Sequence, residues 1–326
     1  MKRSGSVLAL LGFALALFLF LRDDPASIIG LLANAGAGLV LAALCHVLSM
    51  VLNARAWHVL MPKDSRPSLA VMTFAVWVRE SVNGLLPVAR IGGEIVSFRV
   101  LVGGQLAPAL AAAGLMVDMA LSVLSQIAFA LVGVILLLRA GSNTQLALQL
   151  VCGLLILVPL VAIFIVVQRG GLFGALAKIF DRLFAGRLSA LVANSHQADR
   201  TVNAIYAQRG AIISCLLWQG AGWVAGAIQI WVAAHFLGYR VSVADAIAIE
   251  ALIQAVSSVA FVIPGALGVQ EGAFILAGAA VGLDTSASLA LAASRRVRDL
   301  VIFFPGLAAW SLLERKRRRV NRHATR

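Results

Sequence analysis

The chain has 326 residues, of which 61% are hydrophobic and 13% charged, with a mean hydropathy of +0.95. Several apolar runs are long enough to cross a bilayer, which excludes an ordinary soluble domain and implies an all-α polytopic integral membrane protein. The net charge of +13 does not point to nucleic acid, because seven of the 27 basic residues crowd into RKRRRVNRHATR at 315–326, just after an apolar segment. That is the pattern of a cytoplasmic flank that meets anionic lipid.

In chain order, apolar segments fall at about 5–21, 28–52, 107–138, 146–168 and 211–237, with two less regular regions at 68–105 and 243–313. The first resembles a secretory signal but ends in Phe20-Leu21-Arg22-Asp23-Asp24 with no A-x-A-like site, so it reads as a retained helix. Lys2 and Arg3, the 53–67 loop, the 169–210 segment and the tail are net positive and belong in the cytoplasm. The connections at 22–27, 139–145, 238–242 and 284–286 carry little net charge and belong outside. Both termini are then cytoplasmic, and each irregular region has to enter the membrane and return to the same face. Within 169–210, the stretch 171–192 is amphipathic and is expected on the cytoplasmic interface. The expected organisation is one membrane domain over 1–313, with repeats at about 68–138 and 243–313, followed by a basic tail at 314–326.

Each irregular region turns at a Pro/Gly cluster, PVARIGGE from Pro87 to Glu94 and PGALGVQE from Pro264 to Glu271. The Pro-to-Glu spacing is seven in both, at an offset of 177 residues, and AAGLMVD (112–118) resembles AASRRVRD (292–299). The pattern predicts two inverted repeats, each a re-entrant or broken helical hairpin followed by a spanning helix. Interrupted segments at corresponding positions of two halves mark the substrate site in transporters.

The charges support such a site. A helix starting near Ser68 places Arg79 about 16 Å deep, near the middle of a ~30 Å hydrocarbon core. An ionised group there costs about 2.5–3.5 kcal/mol against lipid and has to face protein or water. Partners exist: six acids (Glu80, Glu94, Asp118, Glu250, Glu271, Asp299) and six bases (Arg79, Arg90, Arg99, Arg295, Arg296, Arg298) lie between 79 and 118 and between 250 and 299, the loop residue Asp284 aside. Helical spacing aligns Arg79 with Asn83, aligns Glu250 with Gln254 and Ser257 or Ser258, and predicts an i,i+4 pair between Arg295 and Asp299. The candidate substrate-binding residues are Arg79, Glu80, Asn83, Pro87, Arg90, Gly92, Gly93 and Glu94 in the first region. In the second they are Glu250, Gln254, Pro264, Gly265, Gly268, Gln270, Glu271, Arg295, Arg296, Arg298 and Asp299. Arg99, Asp118 and Asp245 read more simply as anchors or internal ion pairs. Gly222 and Gly226 fit small-residue helix packing.

No cofactor or metal is expected: the five histidines lack ligand spacing, and Cys45, Cys152 and Cys215 stand singly in apolar runs. Walker A, GxSxG and HExxH patterns are absent, so an enzyme is not the leading expectation.

RESVNGLLPVARIGGEIVSFRVL resembles the first signature of the lysylphosphatidylglycerol synthase transmembrane, or flippase-like, family, and IPGALGVQEGAF resembles the second. The nearer resemblance is to the branch of hopanoid-biosynthesis-associated membrane protein L. It is carried by Arg79, Glu80, Val82, Asn83, Leu85, Leu86, Pro87, Val88, Ala89, Ile91, Gly92, Gly93 and Glu94. The resemblance implies a bacterial inner-membrane protein that moves or carries a lipid, either a hopanoid or a phospholipid. No soluble aminoacyltransferase domain is recognisable, so synthesis of lysyl lipid is not expected. In this reading the arginines attract an anionic or hydroxyl-rich headgroup, and the glutamates pair with them when the site is empty. Simple hopanoids carry almost no headgroup and would not need such charge. Two alternatives stand beside this reading: a non-transporting partner of hopanoid-modifying enzymes, and an intramembrane enzyme with a buried Glu as acid or base. A homo-oligomer is compatible with all three.

Overall fold

The computed structural model describes residues 14–15, 17–22, 25–86, 92–139, 158–159, 161–172, 189–259 and 266–324. Among these residues the regular structure is helical: α1 Pro25–Ala35, α2 Ala37–Val59, α3 Leu69–Leu85, α4 Gly92–Gly103, α5 Pro108–Arg139 and α6 Ser189–Ala207. There follow α7 Arg209–Phe236, α8 Val243–Val259, α9 Val269–Ala280, α10 Thr285–Arg298 and α11 Phe304–Ala324. Three of them, α2, α5 and α7, are long and apolar enough to cross a membrane. The expected segments at 5–21 and 146–168, and residues 173–188 of the amphipathic stretch, lie wholly or largely outside the described residues.

The apolar runs at 107–138 and 211–237 become α5 and α7 almost end for end. The run at 28–52 does not become one helix. Gly36, at φ 47°, breaks it into α1 and α2, and α2 then continues through Arg55 and His58 to Val59. Arg55 Nη1 and His58 Nδ1 lie 3.1 Å apart on that last turn, so polar residues expected in a loop finish the helix instead. α11 runs on through the 313/314 boundary to Ala324.

The two irregular regions are each built from a 17-residue helix followed by a 12-residue helix, α3 with α4 and α8 with α9. Ser68 caps α3, its hydroxyl accepting from the Val71 N–H at 3.4 Å, which places the helix start where Arg79's depth required it. Their connections, 87–91 and 260–265, lie outside the described residues. After the second hairpin, α10 gives way to a π turn at Asp299–Phe303. Pro305 has no N–H to return to the preceding turn, the Phe304 N–H reaches back to the Asp299 carbonyl, and the Ile302 carbonyl accepts from Trp77 Nε1 at 2.7 Å. The bond from Trp77 ties α3 to this turn.

Two large apolar clusters hold most of the described helices. One packs around Trp57, Met72, Val78, Leu101 and Val117, the other around Ile230, Ile249, Ile253, Phe274 and Leu289. Lipid gives no hydrophobic drive to helix pairing, so close approach and polar bonds join α2 to α7. The Ser49 hydroxyl donates to the Gly222 carbonyl at 2.8 Å, and a Cβ at Gly222 would come within 2.6 Å of Asn53 Oδ1. The outward faces expose Leu41, Leu44 and Leu48 on α2 and Leu217, Val224 and Ile228 on α7, as a lipid-facing surface requires.

Candidate functional site: an ion-paired polar cavity

Arg79 is the centre of the first half. Its Nη1 donates to Asp118 Oδ2 at 2.9 Å and lies 3.7 Å from Glu94 Oε2, while its guanidinium sits 5.4 Å from the Trp57 ring centroid. Gln219 Nε2 donates to the other Asp118 oxygen at 3.1 Å, so α3, α4, α5 and α7 converge on one charge cluster. Asn83 staples the hairpin: its Oδ1 accepts from the Gly93 N–H at 2.9 Å, and its Nδ2 is 3.5 Å from Glu94 Oε1. A Cβ at Gly93 would lie 2.4 Å from the Arg79 carbonyl oxygen, so α4 can start against α3 only with glycine there. Glu80, about 100° further round the helix, faces α2 and takes His46 Nε2 at 2.9 Å.

In the second half Arg295 donates to Glu250, a pair whose two side chains are each 3% exposed. Gln254 Nε2 donates to Glu250 Oε1 at 2.7 Å, and Gln126 of α5 donates to the Gln254 carbonyl and to Ser258 Oγ at 3.0 and 2.6 Å. The expected i,i+4 pair between Arg295 and Asp299 is not how these residues bond. The π turn begins at Asp299, Arg295 reaches across to α8, and Asp299 is taken by Arg298 and by Arg296. Arg298 also lies 5.0 Å from the Phe303 ring centroid.

These side chains surround a cavity of about 360 Å³. Ten expected residues line it: Arg79, Glu80, Asn83 and Glu94 from the first region, and Glu250, Gln254, Gln270, Arg295, Arg298 and Asp299 from the second. Glu271 and Arg296 do not. Glu271 Oε2 accepts from the Gly268 N–H at 2.7 Å at the start of α9, and its Oε1 accepts from Arg296 Nε and Nη2 at 3.0 and 2.7 Å. Gly92, Gly93 and Gly268 form hairpin backbone rather than cavity wall. Pro87, Arg90, Pro264 and Gly265 lie outside the described residues. Asp245, bonded to Ser242 at the start of α8, holds that helix end, in keeping with its expected structural part. Asp118, read as an anchor, is 2% exposed and lines the cavity.

Seven further polar or aromatic lining residues, on three helices, were not expected from the sequence: His46, Ser49 and Asn53 from α2, Ser122 and Gln126 from α5, and Gln219 and Trp223 from α7. The signal was present. Each set recurs at helical spacing within an otherwise apolar run, the same criterion that aligned Glu250 with Gln254. Among the described lining residues five carboxylates (Glu80, Glu94, Asp118, Glu250, Asp299) stand against three guanidiniums (Arg79, Arg295, Arg298). No group of His, Cys, Asp and Glu suited to a metal ion occurs among the described residues.

The fold and site define a helical membrane protein that keeps a polar, ion-paired cavity within an apolar shell. The chain belongs to the family described as the lysylphosphatidylglycerol synthase TM region, whose family model matches residues 6–306, and so to a class of membrane proteins linked to lipid handling. Comparison with curated proteins and with solved structures yields no match.

Proposed function

We propose that this protein translocates or carries a membrane lipid, with the headgroup in the cavity and the tails in the bilayer, and that it performs no chemical step on it. One observation carries the reading: ten expected polar side chains from two separate hairpin regions line a single cavity inside helices whose outer faces are apolar. Charge at membrane depth that faces a cavity is characteristic of a substrate path. The excess of carboxylates among the described lining residues favours an amine-bearing or hydroxyl-rich headgroup over an anionic one. An elaborated hopanoid or an aminated phospholipid meets that requirement, and the motif at 79–94 favours the hopanoid-associated branch.

The repeats are part of the proposal. The paired 17- and 12-residue helices, and the 177-residue offset from Gly92 to Val269 and from Pro108 to Thr285, support two related halves of opposite orientation in the bacterial inner membrane. A 12-residue helix is about 18 Å long, too short for a ~30 Å core, which supports re-entrant hairpins. The test is lipid movement in vesicles reconstituted with the purified chain. Arg79→Gln and Glu80→Gln, inserted and folded, should slow it at least tenfold, and unchanged rates in both variants would return these residues to a purely structural part.

A further inference from the structure

The bond between His46 and Glu80 fixes more than a contact. A carboxylate only accepts, so at 2.9 Å it is His46 Nε2 that carries the hydrogen. In the neutral ring the other nitrogen, Nδ1, is then the basic one. Nδ1 is buried without a hydrogen-bond partner among the described residues, and the ring packs edge-on against Phe303 at 5.7 Å. His46 is also the only imidazole among the described residues that line the cavity.

We propose that His46 is a proton-binding site of the cavity, and that uptake and release of a proton at Nδ1 couple lipid movement to the proton gradient across the membrane. The inference rests on the translocator reading and adds its energy source. Protonation forms one N–H bond on Nδ1 with a proton from water and leaves the Nε2 bond to Glu80 in place, now as an ion pair. Glu80 bonds the ring, and Arg79 and Glu94 from the first hairpin and Asp118 from α5 line the same cavity. Glu250 faces the cavity from α8, and Arg295, Arg298 and Asp299 from α10 and the π turn, whereas α7 contributes no charged group to it. Among these described groups the carboxylates outnumber the guanidiniums, so a proton on His46 and a cationic headgroup compensate the same surplus charge. Entry of one favours departure of the other, which is an exchange.

The experiment uses the full chain in vesicles of phosphatidylcholine and phosphatidylglycerol, with a tail-labelled fluorescent phosphatidylethanolamine as probe and a pH step of about one unit imposed in either direction. A one-proton step biases inward against outward movement by up to about tenfold per pH unit. The expected result is a three- to tenfold difference in probe movement between the two gradient directions in the native chain, none in His46→Gln, and a smaller one in Glu80→Gln. Equal rates in both directions for the native chain overturn the coupling while leaving translocation intact, whether or not the variants fold. A native chain that moves no probe in either direction overturns translocation and coupling together. A gradient response that persists in folded His46→Gln overturns the assignment to His46.

Discussion

Arg79 and Asp118 meet at 2.9 Å, one on α3 and the other on α5, with the Asp118 side chain 3% exposed and that of Arg79 14%. Removing one member of such a pair leaves an uncompensated charge, at a cost of about 3–5 kcal/mol, whereas removing both is far milder. Asp118→Asn should therefore lower the melting temperature in detergent sharply, and Arg79→Met with Asp118→Leu should recover most of the loss. A double variant as unstable as the single one would show that the pair matters for more than mutual neutralisation.

Glu94 and Glu271 occupy corresponding places seven residues after Pro87 and Pro264, yet the structure gives them different surroundings. Glu94 lines the cavity beside Arg79, and Glu271 caps Gly268 and holds Arg296. Glu94→Gln is expected to slow lipid movement with little change in melting temperature. Glu271→Gln should lower the melting temperature by weakening a charged pair and a cap, with little effect on the rate per folded molecule. Because the two act on different quantities, the double variant should show both losses independently, measured at equal protein levels.

Gly93 tests the hairpin itself. Its Cβ position lies 2.4 Å from the Arg79 carbonyl oxygen and 2.6 Å from the Asn83 amide. Gly93→Ala should force α4 away from α3, costing about 1–3 kcal/mol by overpacking and releasing Asn83 from Glu94. Thermal melting and lipid movement should fall together, and an unperturbed melt would show that the hairpin opens freely at this point.

The charge asymmetry of the loops predicts that both termini are cytoplasmic. Single cysteines at positions 2 and 324, introduced into a chain freed of its own three, should resist an impermeant thiol reagent added outside intact cells and react after permeabilisation. Ready labelling of either from outside would overturn the topology and, with it, the two opposed halves.

Composition and hydropathy alone determine that this chain belongs in a bilayer, because apolar runs such as 107–138 and 211–237 can satisfy their backbone there only as helices. The start of the helix that carries Arg79 follows from local rules as well, since Ser68 caps α3. Motif and helical spacing likewise singled out ten of the residues that line the cavity, from Arg79 to Asp299. Partner choice was decided in three dimensions. Nothing local distinguishes Asp299 from Glu250 as the mate of Arg295; the π turn ahead of Pro305 directs Asp299 to Arg298 and leaves Arg295 facing α8. Asp118 read as an anchor or internal ion pair, and only the packing of α3 and α7 against α5 makes it the acceptor for both Arg79 and Gln219. His46 shows the same limit. Its bond to Glu80 spans 34 residues, and a polar residue on a lipid-length helix acquires a role only when another helix brings it a charge.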